Sequence, residues 1–251
     1  MVDPEDAVPD DEARDRARAE DDHIAATRKA VIAAALPNVA FDGWSSRTLA
    51  HAVQDAGVDP GLSRLAFPRG GVDLALAFHY QRDAELAAAL GSADLLGLRF
   101  RDRIAHAIAL RLEMLQPDRE AVRRAAALFS LPHHAADGAR AIWHTADTIW
   151  TALGDTSRDF NWYSKRTTLS AVYSASLLYW LGDEGPDMSA TRAFIHRRID
   201  NVMRFEEVKS RVRSSPVGAA MMKVPQRLLD RVRAPDDTRP RDLPGSWRTR
   251  P

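Results

Sequence analysis

An all-α fold follows from three features of the 251-residue sequence. Apolar residues recur at helical spacing through the body of the chain, no stretch sustains the alternation of a half-buried strand, and Gly/Pro breakers separate the periodic segments. The length suits one large domain or two small ones and is enough to bury a real core. One bundle-like domain of nine or ten helices is the economical reading.

The elements follow in chain order. Met1 to about Asp22 carries ten Asp or Glu against three Arg, with Pro4, Pro9 and almost nothing to bury. Residues 1–22 are therefore expected to be a disordered acidic arm. From Trp44 to Phe78 the signals are local. Ser45 or Ser46 can cap a helix through Thr48–Ala56, and Gly57 is free to turn left-handed. Asp59-Pro60 then opens a short second helix that ends at Phe67-Pro68. This is helix-turn-helix grammar, and about three helices are expected in residues 23–80. Further helices are predicted from Phe100, Ile104, Ile108, Leu112 and Leu115; from Ile142, Trp143, Ala146, Ile149, Trp150 and Leu153; from Leu169, Val172, Tyr173, Ser176, Leu177 and Trp180; and from Phe194, Ile195, Ile199, Val202 and Phe205. Together they make residues 81–206 a larger helical bundle.

After it, Val217, Ala220, Met221, Val224, Leu228 and Val232 form a helical stripe broken at Pro225, with Leu229 beside it and Lys223, Arg227, Arg231 and Arg233 around it. A basic amphipathic helix over 207–233 suits a membrane interface, with Val217, Ala220, Met221, Lys223, Val224, Leu228 and Leu229 in contact. Docking on the chain's own core or on a second copy is the alternative. Residues 234–251 read as a second disordered tail.

Composition excludes several functions. There are no cysteines, so disulfide scaffolds, thiolate metal sites and thiol nucleophiles are ruled out. No uninterrupted apolar run reaches the length of a spanning helix. The acidic N-terminus is wrong for a signal or transit peptide, and a cytoplasmic location, peripheral on the inner (cytoplasmic) membrane, is expected. The formal net charge is zero, so whole-molecule attraction to nucleic acid is absent. No His-Glu-x-x-His, Gly-x-Ser-x-Gly, phosphate-binding lysine loop or Gly-x-Gly-x-x-Gly occurs. His144 and Asp147, three apart, fit a local hydrogen bond better than catalysis. No catalytic residue, metal site or cofactor is predicted, and the chain is not expected to be an enzyme.

The segment from about Ile24 to Phe78 resembles the N-terminal domain of TetR-type regulators, with Ala-Gly-Val, Gly61 and Phe67-Pro68 in frame. The second helix is poorly made for reading DNA. Between Asp59 and Phe67 only Arg64 is basic, and Gly70-Gly71 stand where the family offers a lysine. DNA is therefore not expected as a partner; a TetR-type regulator of DNA with a hydrophobic effector is the alternative function.

A broader resemblance covers nearly the whole body, from Ala35-Leu36-Pro37 to Glu206. Phe41-Asp42-Gly43-Trp44-Ser45, Arg64–Leu74, Gly154–Tyr163 and Arg197–Met203 are similar to the bacterial, alphaproteobacterial branch of the Coq-nine family of ubiquinone-biosynthesis proteins. The resemblance implies a TetR-like helical fold, a homodimer, and a non-catalytic protein that binds lipid instead of DNA. It implies that polyprenyl quinone precursors, or other isoprenoid or phospholipid ligands, are taken at the membrane and presented to the demethoxyubiquinone hydroxylase. It also assigns the hydroxylase contact to Asp147, Ile149, Trp150, Asp159, Trp162 and Tyr163. Trp162 at a core position is the competing expectation. An apolar tail enclosed between helices needs no polar anchor, since each buried methylene is worth roughly 0.8 kcal/mol. The same Ala, Leu and Ile residues would equally fill a solid core.

Overall fold

The computed structural model describes residues 8–95, 97–156 and 160–214. These form nine α-helices and one short 3-10 turn: α1 Val8–Asp42, α2 Ser46–Asp55, α3 Pro60–Ala66, α4 Gly71–Ser92, α5 Phe100–Met114, the turn Gln116–Asp118, α6 Arg119–Phe129, α7 Ala135–Ala152, α8 Phe160–Gly182 and α9 Ser189–Ser214. The fold is all-α, as the periodicity predicts. The described residues divide into two compact units, one within residues 1–81 and 118–135 and the other within 82–117 and 136–251.

In the first unit α1 packs against α2, α3 and α6. The caps are those read from the sequence. Ser45 Oγ accepts from the Thr48 amide at 3.1 Å, and Asp59 Oδ1 accepts from the Gly61 and Leu62 amides at 2.7 and 3.0 Å. These bonds satisfy amide donors that a helix start leaves without partners. Gly57 closes α2 at φ +61°. The core gathers Val31, Ile32, Ala35 and Val39 of α1 with Trp44, Phe67, Leu74 and Phe78, and the rings of Trp44 and Phe78 lie 5.2 Å apart.

Three boundaries differ from the sequence expectation. The acidic arm is not wholly disordered, because α1 reaches back to Val8. Ala, Arg and Glu are good helix formers, and carboxylates favour the positive end of the helix dipole. Residues 18–22 are nonetheless exposed, in keeping with their lack of apolar side chains. Secondly, α6 belongs to the first unit, not to a continuous bundle over 81–206. The buried Trp44 indole Nε1 donates to the Ala121 carbonyl at 2.9 Å, and Arg124 Nη2 donates to the Ala40 carbonyl at 2.8 Å. A buried indole N–H needs an acceptor, and α6 supplies it. Thirdly, α9 runs past residue 206 without a break, through Ser214. Within α1, residues 14–42 are long and apolar enough by composition to cross a membrane. The burial of Val31, Ile32, Ala35 and Val39 accounts for that apolarity as the inner face of a core helix.

The start of α4 explains the Gly70-Gly71 pair. A Cβ on Gly71 would lie 2.2 Å from the Trp44 carbonyl oxygen, a contact with backbone that cannot rotate away. Gly71→Ala is expected to cost at least the 1–3 kcal/mol typical of overpacking. Thermal unfolding followed by circular dichroism checks this: the melting temperature should fall by several degrees. An unchanged value would mean that the backbone yields at no cost.

In the second unit α5, α8 and α9 pack on one another. The predicted stripes largely face inward: Ile104, Ile108 and Leu112 of α5, Leu169, Val172, Tyr173, Ser176 and Trp180 of α8, and Ile195 and Ile199 of α9 are buried. On α7 the buried face is Ala141, Thr145, Ala146 and Ile149, while Trp143 and Trp150 are half-buried at its edge. That difference positions the candidate site.

Candidate partner-docking surface

The site is the corner where α7 passes into α8. Arg166 organises it from beneath, with its side chain 2% exposed. Its Nε donates to Asp147 Oδ1 at 2.6 Å and its Nη1 to Asp155 Oδ2 at 3.0 Å. The guanidinium also lies 4.0 Å from the centre of the Trp162 ring. Two carboxylates and a π-face thus compensate one buried cation. Lys165 Nζ donates to the other Asp155 oxygen at 2.8 Å.

On this base stands an aromatic cluster. The Trp162 and Tyr163 rings meet edge to face at 4.7 Å, and Trp143 of α7 lies 5.9 Å from Trp162 and 6.3 Å from Tyr163. All three are half-buried. Trp150 is differently engaged. Its Nε1 donates to the Lys165 carbonyl at 3.1 Å, its ring stacks on Phe100 at 5.3 Å, and Lys165 Nζ lies 5.2 Å from its centre.

The residues predicted for partner contact therefore divide. Trp162 and Tyr163 present half-exposed faces. Asp147 is turned inward onto Arg166, and Trp150 is held by its neighbours. Ile149 is fully buried, so it supports the surface and cannot itself touch a partner. The reason is register: Ile149 follows Ala141, Thr145 and Ala146 on the inner face of α7. Asp159 lies outside the described residues, as do Val217, Ala220, Met221, Lys223, Val224, Leu228 and Leu229 of the expected membrane helix. Sequence reasoning passed over Trp143, although it stands seven residues before Trp150 on one helix face.

It also passed over a buried polar hub. Asp83 of α4, with no exposed surface, receives Arg111 Nε of α5 at 3.0 Å and Arg111 Nη2 at 2.9 Å. Thr145 Oγ1 donates to the same carboxylate at 3.0 Å, and His144 Nδ1 lies 2.7 Å from its second oxygen. His144 and Asp147, expected from the sequence to face one another, each bond a buried partner on another helix, Asp83 and Arg166 respectively. Tyr173 is also part of the hub, and burial pushes its phenol above the usual range and keeps it neutral. Ionic and hydroxyl contacts from two helices converge on Asp83, an arrangement that fixes α4, α5 and α7 together.

In the first unit, α3 turns Ser63 and Ala66 inward and leaves Arg64 and Leu65 exposed. An open groove of about 300 Å³ lies between α2 and α3, lined by Ser46, Leu49, Ala50, Val53, Pro60 and Ser63.

Comparison with known proteins adds the following. The COQ9 family model matches residues 135–206, which contain the α7–α8 corner. The human protein named ubiquinone biosynthesis protein COQ9, mitochondrial, is 29% identical over 192 residues, 74% of this chain and 60% of that protein. The probable ubiquinone biosynthesis protein coq9, mitochondrial, of Dictyostelium discoideum is 29% identical over 174 residues, 67% of this chain and 57% of that protein. The chain thus spans about 60% of the length of the curated relatives it matches. Among solved structures, a TetR transcriptional regulator from Nitrosomonas europaea superposes with a TM-score of 0.55 at 21% identity, covering 69% of this chain and 95% of that one. That likeness establishes the TetR-like fold.

Proposed function

We propose that the chain serves ubiquinone biosynthesis as a non-catalytic lipid-binding protein of the COQ9 kind, on the similarity of residues 135–206 to that family's model and of the chain to COQ9 proteins. In this reading it takes polyprenyl quinone precursors at a membrane, acts as a homodimer, and presents them to the demethoxyubiquinone hydroxylase. The observation that carries the reading is the half-exposed Trp143–Trp162–Tyr163 cluster set on buried Arg166, within the residues that the family model matches. Tryptophan and tyrosine held rigid by neighbours are the side chains that most often anchor an interface, and cationic and polar groups beneath them fix their orientation.

Lipid extraction of the purified protein followed by mass spectrometry tests the ligand. A co-purified polyprenyl aromatic is the expected result. Repeated recovery from ubiquinone-producing cells with no bound isoprenoid or phospholipid would overturn it.

Membrane attachment is assigned to residues 207–233. Deleting Ser214–Arg233 is expected to reduce flotation with anionic vesicles sharply while leaving the remaining helical fold intact, with the thermal unfolding midpoint nearly unchanged. Equal flotation of the deleted and full chains would give that segment another job. The relatives are named as mitochondrial proteins; for this chain the reading is peripheral attachment to the cytoplasmic side of the inner membrane. Binding to DNA has little support, since α3 offers Arg64 alone as a cation.

A further inference from the structure

The connection from α4 to α5 carries a second surface feature, which meets the docking corner where Phe100 stacks on Trp150. Its sequence from Asp94 is Asp-Leu-Leu-Gly-Leu-Arg-Phe-Arg-Asp-Arg. Leu98 is 40% exposed and Phe100 49% exposed, two large apolar side chains at the entrance to one helix. Neither is loose. Arg103 Nε donates to the Leu98 carbonyl at 2.9 Å, and Phe100 is stacked on Trp150. Three arginines alternate with them. Arg99 and Arg101 have side chains 71% and 43% exposed, and Asp102 binds both, at 2.7 and 3.7 Å. Arg101 also faces Asp200 of α9 at 3.8 Å. Residues 94–103 carry three Arg against two Asp, and Asp200 faces the segment from α9.

We propose that Leu98 and Phe100 insert into the interface of an anionic membrane, with Arg99 and Arg101 on lipid headgroups. Three considerations favour lipid over a protein. An aromatic ring and a leucine flanked by arginines place apolar atoms inward and cations at headgroup level. The exposed guanidinium groups of Arg99 and Arg101 offer donors that the phosphates of an anionic leaflet can take. The two side chains together expose on the order of 200 Å², far short of the roughly 800 Å² per partner of a stable protein interface. Insertion needs no such area. The proposal rests on the reading that the chain works at a membrane, but places a contact on the bundle itself, separate from residues 207–233.

The chain has no cysteine, so Leu98→Cys gives a single labelling site in the 251-residue chain. A nitrobenzoxadiazole probe there should shift to the blue on vesicles containing phosphatidylglycerol, and lipid-borne nitroxide should quench it. Flotation of the same labelled chain reports membrane binding independently. Arg99→Gln with Arg101→Gln should lower partitioning onto these vesicles roughly tenfold or more, and leave the thermal midpoint nearly unchanged. A chain that floats while the probe stays in water overturns this contact and spares the wider membrane reading. A chain that does not float overturns both. A blue shift that appears only when the hydroxylase is added, without vesicles, overturns the lipid assignment in favour of a protein partner.

Discussion

Trp162→Ala is expected to abolish co-purification of the hydroxylase and to let its demethoxylated substrate accumulate, while the protein remains folded. Trp162 is half-buried, not enclosed, so the 3–5 kcal/mol of a fully buried tryptophan is not at stake. What the ring contributes internally is its face to Arg166 at 4.0 Å and its edge to Tyr163 at 4.7 Å. Cation–π and aromatic contacts of this kind are worth about 1–2 kcal/mol. Arg166 keeps its bonds to Asp147 and Asp155, so the buried cation remains compensated. A central interface tryptophan, by contrast, commonly accounts for 2–4 kcal/mol of binding, a loss of about 30-fold to 1000-fold in affinity. Stability and capture therefore separate. Trp162→Phe should restore much of the capture, because an aromatic face survives. A stable Trp162→Ala protein that binds the hydroxylase at full strength would remove the docking assignment. A large loss of stability would place Trp162 in the core.

Most of the fold was legible in the sequence because it is governed by local rules. Ser45 and Asp59-Pro60 mark helix starts through bonds spanning two or three residues, and the structure has both. The stripes of α5, α8 and α9 emerge from periodicity alone. Long-range pairings could not be read the same way. Trp44 is an evident core residue, but nothing near it says that its indole N–H will meet Ala121, 77 positions away. That bond helps to assign α6 to the first unit. Asp83 and Arg111 are 28 apart, and Asp83 and His144 are 61 apart. A buried charge and a solvated one look identical in a string of letters. On α7 the apolar positions Ile142, Trp143, Ile149 and Trp150 span more than one face, and only packing decides that Ile149 goes in and both tryptophans stay at the edge. Of the residues that family likeness assigns to docking, those described lie on α7 and α8, and packing alone sets which of them face outward.

Asp83→Ala should be among the most damaging single changes in the second unit. The carboxylate has no exposed surface, and the Arg111 side chain is 1% exposed. Removing the anion strands a guanidinium in the interior, which typically costs 3–5 kcal/mol. Thr145 loses an acceptor and His144 loses its partner at 2.7 Å, which adds to the penalty. At roughly 2–4 °C per kcal/mol for a domain of this size, the melting temperature should drop by 10 °C or more. The double change Asp83→Leu with Arg111→Met makes the diagnostic comparison. It deletes both charges and fills the space with apolar atoms, so it should recover much of the loss, since a buried ion pair adds little over a well-packed apolar pair. If the two changes prove additive, with the double variant as unstable as the sum of its parts, Asp83 and Arg111 are not coupled. The consequence reaches the docking corner because His144 and Thr145 belong to α7, next to Trp143. When Asp83 no longer holds α7 against α4 and α5, the aromatic cluster loses its footing. Capture of the hydroxylase should then weaken in Asp83→Ala even below its unfolding temperature, and return in the apolar double variant.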